Sequence, residues 1–324
     1  MDQALHDRCR SEPGVTPRTV ILDCDPGHDD ALALLLALAR PEVRLLAVTT
    51  VSGNAPLEQT TRNALRVLTL LGRTDVPVAA GADRPLDGVL RIAPEVHGAS
   101  GLDGADLPEP AAEAVDASAL ELASAFLEAE DAVTIVATGP LTNVAGLLSA
   151  RPDLLPRIEA IVLMGGAIGE GNWTASAEFN IWADPQAAAA VMTCGRPLAM
   201  MPLEVTHQAR LSTADMAAME ALGNRTGLIF ADLMRYFARV HAEWYGWDGP
   251  PIHDAVAVAH VLGGGLITTR RYPVSVEVEG RHTRGRTVVD TRPFSSAEAT
   301  VDVGVSIDRE AFVRMLLQAI AVFP

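Results

Sequence analysis

Four aspartates, Asp23, Asp25, Asp29 and Asp30, lie within eight residues of the stretch TVILDCDPGHDDALALLLALA, between two apolar runs. Two like charges about 4 Å apart repel by roughly 4 kcal/mol at an effective dielectric near 20, so several such pairs oppose a large part of a domain's net stability. Protons or a cation must relieve that repulsion. If TVILDCD is a strand, Asp23 and Asp25 project to one side at its carboxyl end. Pro26 and Gly27 then turn the chain, and Asp29 and Asp30 fall in the first turn of a helix whose free N–H groups favour anions. All four carboxylates are therefore expected to converge. Oxygen ligands suit a hard divalent cation, Ca²⁺ or Mg²⁺, and no Cys/His cluster offers zinc a home. Helix capping explains one or two of these aspartates but not four. An aspartyl-phosphate phosphatase would want Thr or Val where Gly27 stands, and an EF-hand loop would want a bidentate Glu where Leu34 stands.

Open α/β sheets bind ligands beyond the carboxyl ends of their strands. Asn54 follows LLAVTTV, Thr138 and Asn143 follow VTIVAT, and Asn172, Glu178 and Asn180 lie in the excursion AIGEGNWTASAEFN after IVLMGG. Any one of these is an ordinary turn residue. Their joint placement at successive strand ends marks them as groups able to grip sugar hydroxyls. PPIHDAVAVAHVL sets His253 and Asp254 at a helix start behind two prolines, which can present both to the crevice. His97 lies in the Gly-rich EVHGASGLDG, expected to be a mobile lid. His207, Glu204 and the aromatic group Tyr236, Phe237, Trp244, Tyr245 and Trp247 read as packing, with some rings able to face a planar ligand.

The elements that must position these groups alternate. TVILDC, VRLLAVTTV, VPVAA, AVTIVAT, IEAIVLM and PLAMM read as strands, separated by helices over 29–39, 57–71, 119–130, 141–149 and 185–193. The pattern predicts an α/β fold with a mainly parallel central sheet flanked by helices. Strands such as VTIVAT are apolar on both faces, as in a sheet covered on both sides. After residue 203 come helices over 213–222 and 227–245 and one opening at His253. Two or three further strands follow in YPVSVEVEG, GRTVVD and ATVDVGVSI, then a closing helix over 308–322. No linker divides the chain, so one domain over 18–324 is expected, preceded by a disordered tail over 1–17.

The chain has 324 residues, 49% of them hydrophobic, enough for a sizeable core, and a formal charge of −16. That charge disfavours a nucleic-acid polymer or an anionic membrane as partner, since both require a positive face. Three scattered cysteines make no disulfide framework, and no apolar run reaches the roughly 18 residues of a membrane span. A cytoplasmic protein is expected.

The pieces DCDPGHDDALAL, TTVSGN, VHGASGLDG, ATGPLTNVA, VLMGGA, EGNWTASAEFNIWADPQAA, VTHQA and IHDAVAVA occur in a familiar order and approximate spacing. From Thr19 to the final helix the chain resembles the inosine-uridine-preferring nucleoside hydrolases. The resemblance implies Ca²⁺-dependent cleavage of the N-glycosidic bond of ribonucleosides to ribose and free base. It also implies a homodimer or homotetramer. Asp25 would be both calcium ligand and general base, with Asp30, Asp254 and the carbonyl of Thr138 completing the protein's ligands. Asp29, Asn54, Asn172, Glu178 and Asn180 would hold the ribose, with Met164 beneath it. His97 and His253 would lie near the base, His253 as proton donor to the leaving group, and Phe237 and His241 would face the base. His28 stands where the motif is usually apolar, and Trp173 directly follows Asn172; neither identifies the preferred base. Two other readings are a nucleoside-binding protein without catalysis and a metal-dependent phosphatase.

Overall fold

The computed structural model describes residues 17–324, so the tail expected over 1–17 lies outside the described residues except for Pro17. Among the described residues ten strands form: β1 (Arg18–Cys24), β2 (Val43–Thr50), β3 (Val78–Ala80), β4 (Val133–Ala137), β5 (Ile158–Met164), β6 (Leu198–Met201), β7 (Ile267–Tyr272), β8 (Val274–Val276), β9 (Thr287–Val289) and β10 (Val301–Ile307). Eight build one sheet in the order β3-β2-β1-β4-β5-β6-β10-β7, parallel throughout except that β7 runs antiparallel to β10. Helices cover both faces in a single domain, as the alternating sequence pattern predicts.

One helix decides how the site is placed. His28–Ala39 is buried along its whole length, which is why its sequence is apolar on every side. It packs against β1 and β2 and is enclosed by the helices Leu57–Leu70, Arg225–Tyr245, His253–Leu262 and Arg309–Ile320. The opposite face of the sheet is covered by Ala119–Ala129, Thr142–Ala150 and Pro185–Met192. The strand order reverses between β1 and β4, and such a reversal opens a crevice at the strands' carboxyl ends. Asp25 follows β1 and Thr138 follows β4, so both stand at that crevice.

The C-terminal strands differ from expectation. YPVSVEVEG and GRTVVD supply β8 and β9, which pair only with each other, while ATVDVGVSI supplies β10 and enters the main sheet. β7, ITTRRY, was not anticipated because its polar, partly exposed residues carry no apolar alternation. The β8–β9 ribbon has a structural task. Thr287 Oγ1 donates to Ala167 O at 2.6 Å and accepts from Ala167 N at 2.8 Å, and Arg284 donates to Trp182 O at 2.9 Å. The segment after β5, which carries Asn172, Glu178 and Asn180, is thereby tied at both ends.

Candidate active site

Asp25 leaves the end of β1 and is completely buried. The backbone N–H of Asn54 donates to its Oδ2 at 2.7 Å, while Oδ1 has no hydrogen-bond partner. Gly139 must be glycine here, because a Cβ would come 2.7 Å from that Oδ1. In the next turn Gly27 N donates to Asp30 Oδ2 at 3.0 Å, and Thr138 Oγ1 donates to Asp30 Oδ1 at 2.7 Å. Carboxylate oxygens of Asp29, Asp30 and Asp254 lie within 4.8 Å of one another, all buried. Burial raises the pKa of Asp25, Asp30 and Asp254, and that of Asp29 to about 7; the negative charge of Asp30 adds to the shift at Asp25 and Asp29. A cluster so reluctant to ionise, with one oxygen left unpartnered in its wall, fits a hard divalent cation held by oxygen ligands.

Asp23 does not join the cluster. It is the last but one residue of β1 and faces the other side of the sheet, where Thr49 Oγ1 donates to its Oδ1 at 2.5 Å and Asn143 Nδ2 at 2.8 Å. The expected convergence of four carboxylates is therefore corrected to Asp25, Asp29, Asp30 and Asp254. Strand alternation stops at Cys24, so Asp25 is no longer on Asp23's side of the pleat. Asn143 is likewise structural, donating also to Thr50 O at 2.9 Å and accepting from Ala82 N at 2.8 Å.

A cavity opens over the carboxylates, lined by Asp29, Asn54, His97, Thr138, Met164, Asn172, Glu178, Asn180, Phe237, His241, His253 and Asp254. Every site residue that the family resemblance implied lines it except Asp25 and Asp30, which lie buried beneath, whereas Asp23 and Asn143 from the strand-end reading lie elsewhere. No Arg or Lys is among the lining residues. Asn180 Nδ2 donates to Thr138 O at 2.7 Å and to Met164 O at 3.2 Å, which fixes the amide across the ends of β4 and β5. Asn54 Nδ2 donates to Asp25 O and Asp30 Oδ2, both at 3.1 Å. Both asparagines line the cavity. Glu178 caps the short helix Phe179–Ala183, its carboxylate accepting from Gly166 N, Asn180 N and Ile181 N at 2.8–3.1 Å. Burial outweighs those three bonds and raises its pKa to about 7.

The histidines are buried more deeply than the sequence suggests. His97 ends the helix Pro94–His97, and the loop beyond it is strapped down: Asp103 accepts from Ala99 N and Ser100 N, and Leu102 is buried. The expected mobile lid is thus a packed loop. Gly27 lets His97 approach, since a Cβ there would lie 2.6 Å from His97 Nδ1. His253 Nδ1 lies 2.7 Å from Thr206 Oγ1, and its edge meets His207. Burial pushes the imidazolium pKa values of His97 and His253 well below the usual range. Sequence reading missed Thr206 and noted His28 only as a departure from the motif, because their partners lie 47 and 69 residues away. Of the aromatic group, Phe237, Trp244 and Tyr245 line the cavity, joined by Trp173, while Tyr236 and Trp247 do not.

A pocket lined by carboxylates and amides, with no cationic side chain among its lining residues, favours positive charge on whatever occupies it. Fold and site define an enzyme of the N-glycosyl hydrolase class. The sequence profile of the inosine-uridine preferring nucleoside hydrolase family matches residues 20–314, and the chain belongs to that family. It is similar to the pyrimidine-specific ribonucleoside hydrolase RihA of Klebsiella pneumoniae subsp. pneumoniae, with 48% identity over 306 residues, 94% of this chain and 98% of the relative. The RihA of Escherichia coli O127:H6 is also 48% identical over 299 residues, 92% of this chain and 96% of the relative. Among solved structures, a purine-preferring ribonucleoside hydrolase from Gardnerella vaginalis superposes with a TM-score of 0.88 at 33% identity, covering 94% of this chain and 98% of that one. No helix among the described residues is long and apolar enough to cross a membrane.

Proposed function

We propose that this protein hydrolyses the N-glycosidic bond of ribonucleosides, with Ca²⁺ as its metal and pyrimidine nucleosides as preferred substrates. The observation that carries the reading is the buried carboxylate cluster beneath the cavity, with Asp25 Oδ1 unpartnered. Asp25, Asp30, Asp254 and the carbonyl oxygen of Thr138 would hold the cation. When bound, Ca²⁺ supplies charge compensation for the carboxylates and an anchor for sugar hydroxyls and the attacking water.

The remaining chemistry falls to the chain itself. Asp25 takes the proton of the water that attacks the anomeric carbon, in the manner of an inverting glycosidase. Asp29, Asn54, Asn172, Glu178 and Asn180 orient the ribose, whose face rests on Met164. Cleavage of the C–N bond leaves positive charge on the sugar, which the surrounding carboxylates favour. The departing base takes the electron pair of the C–N bond, and His253, which lines the cavity with its Nδ1 2.7 Å from Thr206 Oγ1, would supply the proton that base requires, while Phe237 and His241 border it. The proposed pyrimidine preference rests on the RihA relatives, which share more identity than the purine-preferring structure.

The test is a free-ribose assay on uridine, cytidine, inosine and adenosine with Ca²⁺ present. Fastest release from the two pyrimidine nucleosides is expected. No release from any of the four overturns the reading, and faster release from the purines overturns the preference.

A further inference from the structure

Two separate groups of rings line the cavity. His97, Phe237 and His241 form the first, with successive centroids 5.3 and 4.5 Å apart. Trp173 and Phe179, edge to face at 4.9 Å, form the second, and among the described residues no ring contact joins the two groups. The second wall belongs to the segment after β5, where Asn172 precedes Trp173 and Glu178 and Asn180 flank Phe179. It is braced from within the protein. Trp182 meets Trp173 at 5.4 Å and Phe179 at 6.3 Å, and the Arg91 guanidinium covers the Trp182 ring at 5.3 Å. Phe179 N donates to Asn172 Oδ1 at 3.0 Å and Trp173 N to Ala177 O at 3.2 Å, so both rings are held before a ligand arrives.

In a ribonucleoside, C1′ carries the base and C4′ carries the C5′ arm; these two carbons flank the ring oxygen, and the 2′ and 3′ hydroxyls lie on the opposite edge. With those hydroxyls over the carboxylate cluster and the base against His97, Phe237 and His241, the C5′ arm leaves on the side away from the base, toward the segment after β5. We propose that Trp173 and Phe179 form an apolar subsite for the C5′ substituent, with Trp173 as its specificity-determining residue, so that ribonucleosides bearing an apolar 5′ group, such as an alkylthio group, are substrates. No Arg or Lys lines the cavity to compensate a 5′ anion, whereas a thioether packs favourably on aromatic rings. The cavity holds about 640 Å³ up to its mouth, within the range of roughly 300–1,000 Å³ that takes drug-sized ligands. The orientation of the sugar rests on the proposed nucleoside hydrolysis, whereas the second wall does not.

The test measures kcat/KM of the full chain, saturated with Ca²⁺, on uridine, inosine, 5′-deoxyuridine and 5′-deoxy-5′-methylthiouridine. The last two both lack the 5′-hydroxyl, so their ratio reads the apolar contact alone. The wild type is expected to favour the methylthio compound over 5′-deoxyuridine about tenfold, the discrimination a small apolar group gains in a matching pocket. Trp173→Ala should abolish that preference and Trp173→Phe should keep part of it. Absence of the preference in the wild type overturns the subsite, and so does the full preference in folded Trp173→Ala. A Trp173→Ala change confined to the uridine-to-inosine ratio would place the ring at the base and overturn it too. The wild-type ratio decides even where Trp173→Ala does not fold. Hydrolysis of uridine without the methylthio preference removes the subsite and leaves the proposed function standing. If none of the four is hydrolysed, the proposed function falls, and titration calorimetry reads the subsite by itself: tighter binding of the methylthio compound than of 5′-deoxyuridine upholds it, and equal binding overturns it.

Discussion

Asp25 is gripped from one side only: the Asn54 backbone N–H binds its Oδ2 at 2.7 Å, and its buried Oδ1 is left unpartnered. An oxygen in that position is available to a cation or to a water proton, and the same loop that orients it presents the Asn54 side chain to the cavity. Asp25→Asn keeps the shape and removes the charge. It is expected to lower kcat/KM for uridine by about 10²–10⁴-fold with little change in the circular dichroism spectrum. A folded variant retaining half of wild-type activity would remove Asp25 from the role of base.

Chelation should destabilise the protein in a pH-dependent way. Without cation, burial and Asp30 raise the Asp29 pKa from 3.8 to about 7. At this site the folded chain then binds more protons than the unfolded chain between those values, so the contribution of Asp29 to stability is fully present below pH 3.8 and is lost as pH rises through 7. Cation binding requires the ionised ligands and adds about 2.7 kcal/mol at a hundredfold excess over Kd. The rise in Tm on replacing chelator by Ca²⁺ is therefore expected to be larger at pH 8 than at pH 5. Equal shifts at both values would contradict it.

Thr206 and His253 form a pair separable from the carboxylates. Thr206→Val removes the hydroxyl 2.7 Å from His253 Nδ1 at nearly constant volume. We expect kcat to fall about 10–100-fold with KM changed far less, since the ring loses its orientation and not its contact with substrate. Stopped kinetics at the level of KM alone, with kcat intact, would assign Thr206 to binding.

Asp23 tests the electrostatics away from the cavity. Burial raises its pKa to about 6, and its Oδ2 has no partner. Its contribution to stability is thus present below pH 3.8 and lost as pH rises through 6, a change on the order of 2–3 kcal/mol. Urea unfolding of metal-free Asp23→Asn should show a flatter pH dependence between 4 and 7 than the wild type. Parallel profiles would show that Asp23 ionises normally.

Much of this was legible from residue types alone, and what was not has a physical cause. β5 coincides with the apolar run IEAIVLM, and the helix His28–Ala39 follows from DDALALLLALA, because burial on all sides leaves its mark on composition. Asp25 and Thr138 could be placed at strand ends because that rule depends on topology, which alternation predicts, whereas their grouping with Asp30 and Asp254 as one ligand set came from the family resemblance. Asp23 was misplaced because one residue's difference in where a strand ends reverses a side chain. β7 was hidden because an edge strand half in solvent needs no apolar residues. The partnerships His28 with His97 and Thr206 with His253 join distant segments, and no local pattern encodes them.

The most direct test is a crystal of the wild-type protein grown with Ca²⁺ and measured for anomalous scattering. A calcium ion is expected within about 2.3–2.6 Å of oxygens from Asp25, Asp30, Asp254 and the Thr138 carbonyl, beneath the cavity. Carboxylates paired by shared protons, with no ion among them at saturating Ca²⁺, would contradict the account.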